Sequence, residues 1–169
     1  MSDSKTEVTK VNNRFLTFFI EDEQYGLDIS RIKEIIALMN ITHIPKTPDF
    51  VKGIINLRGS IIPVVDVRLK FEMPAVEPTV DTSIVIYEID KVSIGFIVDR
   101  VEDVVTIDAS HISAAPDFGG SIDTTFIDGV AEIGELVIML LDLKNIFDHN
   151  ELTLVGQMQK KDKKSEEKE

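Results

Sequence analysis

The sequence predicts a mainly-β protein made of two similar small units, each a small barrel or a curled sheet. Three observations predict it. Apolar runs of strand length alternate with turn residues from Phe15 to Leu143. The chain matches itself when displaced by 69 residues, and further on by 76. A stretch with Pro74 and Pro78, residues 71–81, separates the two copies as a linker. Each copy is on the scale of five strands, and closing a sheet of that size removes its exposed edges.

The elements follow in order. Residues 1–13 are polar, mixed in charge and read as a disordered arm. Phe15–Ile20 and Gln24–Ile29 form a hairpin around a polar loop. Asp28 or Ser30 caps a short helical turn. Ile32, Ile35, Ile36 and Met39 have helical spacing, yet their β-branching suits a strand, and periodicity alone does not decide. Residues 43–52 hold Pro45 and Pro48 and read as a connection. Strand cores at 53–57 and 61–66 flank Arg58-Gly59, a tight hairpin in which Pro63 marks an edge or a bulge. In the second unit, 83–89 and 92–98 form a hairpin around Asp90-Lys91, DRVEDVVTI follows at 99–107, and 116–125 is a longer loop. A strand core at 136–141 completes a last hairpin, and helical character runs from about Asp142 into a charged tail.

The repeat is specific in its punctuation. Tyr25-Gly26-Leu27 matches Ile94-Gly95-Phe96, Glu34-Ile35-Ile36 matches Asp103-Val104-Val105, and Pro48-Asp49-Phe50 matches Pro116-Asp117-Phe118. At the larger displacement Gly53 matches Gly129 and Asp66 matches Asp142. Features common to both copies belong to the fold, so Gly26 and Gly95 mark turns or close backbone approaches. Arg58 matches Gly134, so that cation belongs to the first copy alone and is a candidate for function.

Composition narrows the function. The chain carries a net charge of −12, and the body over 14–156 holds 24 acids against 11 bases. That body repels phosphate backbones and lowers the case for a small-barrel nucleic-acid-binding protein. The absence of cysteine removes thiolate chemistry and cysteine-based zinc sites. His43, His111 and His149 lack ligand spacing, and no phosphate-binding loop or nucleophile elbow occurs. A hydrolase with an unrecognised acid/base pair is the remaining enzymatic alternative, and the expectation is no enzyme, no cofactor and no metal. No apolar run is long enough to span a membrane and the N-terminus lacks a signal peptide, so the expected location is cytoplasmic.

Three segments carry a resemblance. PDFVKGIINLRGSIIPVVDVRLKF at 48–71, FLTFFIEDEQYGLDISRIKEII at 15–36 and IGFIVDRVEDVVTID at 94–108 resemble the CheW family, and the similarity spans roughly 14–148. The resemblance implies two five-stranded SH3-like barrels around a common hydrophobic core, with a C-terminal helix. The first barrel is expected at about 15–67 and the second at about 83–143, with the helix packing from about 142 and 149–169 holding the helix end and a charged flexible tail. It also makes Glu34–Ile44 a strand. It implies a non-catalytic adaptor that couples the cytoplasmic tips of methyl-accepting chemoreceptors to the regulatory domain of the histidine kinase CheA. Recruitment to receptor arrays at the inner face of the membrane follows, with no membrane insertion, nucleic acid or cofactor. The expected protein-interaction residues are Ile32, Glu34, Gly53, Arg58, Val101 and Val104, with Glu34 and Arg58 able to pair.

Overall fold

The computed structural model describes residues 13–115 and 124–168, with side chains through Gln159. The arm expected over 1–13, apart from Asn13, and the Pro116-Asp117-Phe118 match lie outside the described residues. Among the described residues eleven strands dominate: β1 Arg14–Ile20, β2 Glu23–Asp28, β3 Ile32–Ala37, β4 Val51–Leu57, β5 Ser60–Asp66, β6 Ser83–Ile89, β7 Val92–Val98, β8 Arg100–Thr106, β9 Ile112–Ser113, β10 Ile127–Ile133 and β11 Leu136–Leu141. A one-turn helix α1, Val67–Lys70, follows β5, and a long helix α2, His149–Lys168, ends the chain. The helix begins later than expected. Residues 143–146 form a separate 3-10 turn whose first free amide, Lys144 N, donates to the Asp142 carboxylate at 3.1 Å. Only a single turn, 29–31, precedes β3, so Ile32–Ala37 is strand and not helix, but the strand ends at Ala37, short of the expected Ile44, and from there to Ile44 only Thr42 forms an isolated bridge, to Ile54.

The strands make a six-stranded sheet, β8-β1-β2-β11-β10-β9, and a five-stranded sheet, β3-β6-β7-β5-β4. Each rolls into a small barrel. β8 and β9, consecutive in the chain, stand at opposite edges of the first sheet, so the bend between them carries the chain across the opening. In the second sheet Thr42, just after β3, bridges Ile54 on β4 and does the same.

This order corrects the expected division at 15–67 and 83–143. The six-stranded barrel takes β1–β2 from the first copy and β8–β11 from the second, and the five-stranded barrel takes the complement. The exchange is reciprocal. Gly26 on β2 pairs with Leu140 on β11, and Gly95 on β7 pairs with Val64 on β5, in parallel ladders at matching repeat positions. Bulges also recur, at Thr17/Phe18 and Ile32/Glu34, and at Val51/Gly53 and Ile127/Gly129. The duplication therefore holds in strand register and bulge position, while the copies trade hairpins.

The apolar residues sort accordingly. Ile55, Ile62, Val64, Ile84 and Ile86 fill the five-stranded barrel, and Phe15, Ile107, Ala131, Ile138 and Leu140 fill the other. A third cluster lies between them, with Phe18, Leu27, Val65, Val85, Phe96 and Leu141 from both sheets and Val155 from α2. Along each hairpin, one face serves a barrel interior and the alternate face serves this shared core. Gly26 and Gly95 lie within strands and mark close approaches. A Cβ there would come 2.9 Å from Leu140 Cδ2 and 2.8 Å from Ile84 Cγ2.

Arg68 of α1 ties the copies together. Its side chain, 8% exposed, donates to both oxygens of Asp99 and, at 3.0 Å, to Glu21 in the β1–β2 turn. Burial opposes ionisation of Asp99, but the Arg68 bonds and the Glu21 amide win and hold its carboxyl below the usual range. At the repeat-related place Lys144 reaches Asp90 in the β6–β7 turn at 3.3 Å, an exposed and weaker tie.

Candidate functional site

Arg58 sits at the first turn position of the β4–β5 hairpin. Arg58 and Gly59 have φ of 52° and 90°, the left-handed pair that a two-residue hairpin of this twist requires. The Asn56 side chain accepts the Gly59 amide at 2.8 Å and steadies the turn. Gly134 occupies the matching place on β10–β11 with φ 61°. The fold thus asks for a residue tolerant of positive φ and does not ask for a cation, and an arginine stands there against backbone preference.

The guanidinium bonds to the Glu34 carboxylate on β3, so the structure brings together two residues that stand 24 apart in sequence. The bulge at Lys33 sets the side Glu34 faces. The hydrogen bond from Arg58 holds the Glu34 carboxyl below its ordinary range, and the same bond pushes Arg58 upward. Arg58 remains 68% exposed, so the pair presents a charged, hydrogen-bonding surface to solvent.

The other expected residues fall in three places. Ile32 and Val101 occupy matching positions on β3 and β8, half-buried against the shared core. Val104 on β8 is 41% exposed, and its repeat counterpart Ile35 on β3, which the sequence reading did not single out, is 42% exposed. The matching position 69 residues away was the available signal. Gly53 stands apart. It is buried, with φ 141°, and a Cβ there would lie 2.0 Å from the Thr42 carbonyl oxygen, so barrel closure alone accounts for a glycine. The apolar tip Ile133, Leu136 and Val137 of β10–β11 is exposed as well, and sequence reasoning passed over it.

Among the described residues no group of three or more His, Asp or Glu is disposed to hold a metal ion, and no helix is long and apolar enough to cross a membrane.

Comparison with known proteins gives this architecture its relatives. The family profile of the CheW-like domain matches residues 14–151. Chemotaxis protein CheW of Klebsiella aerogenes is 34% identical over 157 residues, 93% of this chain and 95% of the relative. Chemotaxis protein CheW of Bacillus subtilis is 31% identical over 86% of this chain and 89% of its own length. The crystal structure of scaffolding protein TtCheW from Thermoanaerobacter tengcongensis superposes with a TM-score of 0.75 at 38% identity, covering 83% of this chain and 95% of that one. With the duplicated barrels, the shared core and the match across nearly the whole folded body, this chain belongs to the CheW family.

Proposed function

We propose that this chain, a CheW-family chemotaxis adaptor, couples the cytoplasmic tips of methyl-accepting chemoreceptors to the regulatory domain of a CheA-type histidine kinase, without catalysing a reaction. The observation that carries the reading is family membership over the whole folded body, since relatives matched end to end are named as chemotaxis and scaffolding proteins. The surface supports it. The ion pair Glu34–Arg58 stands free at a hairpin tip, Ile32 and Val101 lie half-buried against the core between the barrels, and Val104 adds exposed apolar area on β8. An apolar centre with a polar rim is the usual composition of a protein–protein interface. Neither a nucleic-acid barrel nor a hydrolase finds support in the comparisons. In this reading the protein works in the cytoplasm at receptor arrays.

Calorimetry with a kinase regulatory domain and a receptor cytoplasmic fragment from the native pathway tests the reading. Wild type binds both. Arg58→Glu and Glu34→Arg each melt near wild type, at least one weakens assembly, and the double swap recovers part of the loss. Absence of binding to either partner at tens of micromolar overturns the reading.

A further inference from the structure

The Glu34–Arg58 pair is the rim of something larger. A cavity of about 390 Å³ opens at the mouth of the five-stranded barrel, between the β4–β5 tip, the β3 bulge, the β6–β7 turn and α2. Lys33, Arg58 and Lys91 line it against a single carboxylate, Glu34. Its floor is a run of hydrogen bonds. Lys33 Nζ donates to Ser93 Oγ at 3.1 Å, Ser93 N donates to Gln159 Oε1 at 3.2 Å, and Gln159 Nε2 donates to the Ile61 carbonyl at 3.2 Å. Both lysines are exposed, and among the described residues neither has a carboxylate at ion-pair distance.

The duplication supplies a control within the molecule. Paired registers identify the equivalent mouth of the six-stranded barrel residue by residue. Where the five-stranded barrel has Lys33, Lys91 and Glu34, the other has Glu102, Asp22 and Asp103, and beside Gly134 it carries Glu135. Among the described residues, only Glu102 of these is matched by a cation, Arg100. Two mouths of one design therefore have opposite charge. The fold does not set this difference, and in a body of 24 acids and 11 bases three bases converge on one mouth.

We propose that the five-stranded barrel's mouth is a docking site for a carboxylate-rich segment of a protein partner, recognised by Lys33 and Lys91 beside the Glu34–Arg58 pair. The acidic remainder of the surface repels such a segment, so approach is steered to this mouth and the equivalent mouth is closed to it. The partner's identity rests on the adaptor reading; the charge class of the segment does not.

Two measurements test it. In the first, the isotope-labelled chain is titrated with a short polyglutamate peptide, with polylysine as control. Amide shifts at Lys33, Arg58, Lys91 and Ser93 that fade with added salt are expected, and their loss in Lys33→Glu/Lys91→Glu. No shifts, or shifts elsewhere, overturn the proposal. In the second, calorimetry with the kinase regulatory domain and the receptor fragment should show affinity for one of them falling about tenfold or more in each lysine variant. Asp22→Lys and Glu135→Lys should leave it unchanged. Wild-type binding with unchanged affinity in both lysine variants overturns the docking site while the adaptor reading stands. Wild type binding neither partner overturns the adaptor reading, and the peptide titration still decides the site. Concentration-dependent self-association abolished by Lys33→Glu/Lys91→Glu would seat a second copy's acidic mouth in the pocket and overturn the assignment to a different protein.

Discussion

Replacing Gly53 by alanine separates a fold role from an interaction role at one atom's expense. The new Cβ would stand 2.0 Å from the Thr42 carbonyl oxygen and 3.0 Å from His43 Cα, all backbone that cannot rotate aside. The φ of 141° adds strain for any residue with a side chain. A disfavoured backbone conformation costs about 1–2 kcal/mol, and forced displacement of packed atoms about 1–3 kcal/mol. A loss of ~4 kcal/mol is expected, and at roughly 2–4 °C per kcal/mol for a chain of this size Tm falls by about 8–16 °C. The duplication provides the matched control. At Gly129 the nearest atoms to a Cβ are 3.1 Å away, so a shift of a few tenths of an ångström suffices. Gly129→Ala should move Tm by no more than about 3 °C. Thermal melts followed by circular dichroism, with partner binding measured well below both transitions, provide the assay. Equal melting shifts for the two variants refute the closure argument. Loss of partner binding by Gly53→Ala at normal stability makes Gly53 an interaction residue after all.

Arg68→Met removes the guanidinium that neutralises Asp99 and Glu21, and breaking a partly buried pair should cost about 2–3 kcal/mol by denaturant melts; pairing Arg68→Met with Asp99→Leu should restore most of it. The Asp99 carboxyl titrates below its unfolded value, so its contribution is complete above about pH 4 and fades as pH falls through the folded value. The stability gap between wild type and Arg68→Met should therefore narrow in acid, and a gap independent of pH contradicts this. Tyr87 is pushed up to about 12, first by burial and then by Asp142. Stability linked to Tyr87 is present below pH ~10 and lost as pH rises through about 12, and tyrosinate absorbance should show one of the two tyrosines ionising only as the fold is lost. Arg58→Gly places glycine where the repeat already has Gly134, so Tm should hold or rise while receptor or kinase binding weakens; a fall in Tm of several degrees would give Arg58 a structural role.

Local pattern made most strands legible. The runs at 83–89, 92–98 and 136–141 coincide with β6, β7 and β11, because short, nearly continuous apolar runs rich in β-branched residues and bounded by Asp90-Lys91 or Gly134 are of strand length and too short for buried helices. The exchange of hairpins was not legible. β1–β2 and β6–β7 carry equivalent apolar faces, so self-pairing and exchange satisfy the same pattern, and the choice lies in the long-range parallel contacts of Gly26 with Leu140 and Gly95 with Val64. The Glu34–Arg58 pair was reached through family resemblance. Spacing alone does not reveal that a hairpin tip curls onto a strand 24 residues earlier. Arg68 went unnoticed although Lys144 repeats it two residues after an aspartate, a signal hidden because both read as ordinary surface bases. The opposite charge of the barrel mouths emerged only once register fixed which residues correspond.

Receptor-dependent recruitment of the kinase tests the adaptor account most directly. Vesicles bearing the receptor cytoplasmic domain are sedimented with the native CheA-type kinase, with and without this chain. The account predicts that kinase pellets with the vesicles only when the chain is present, and less so with Arg58→Glu. Kinase recruitment that is the same with and without the chain would contradict it.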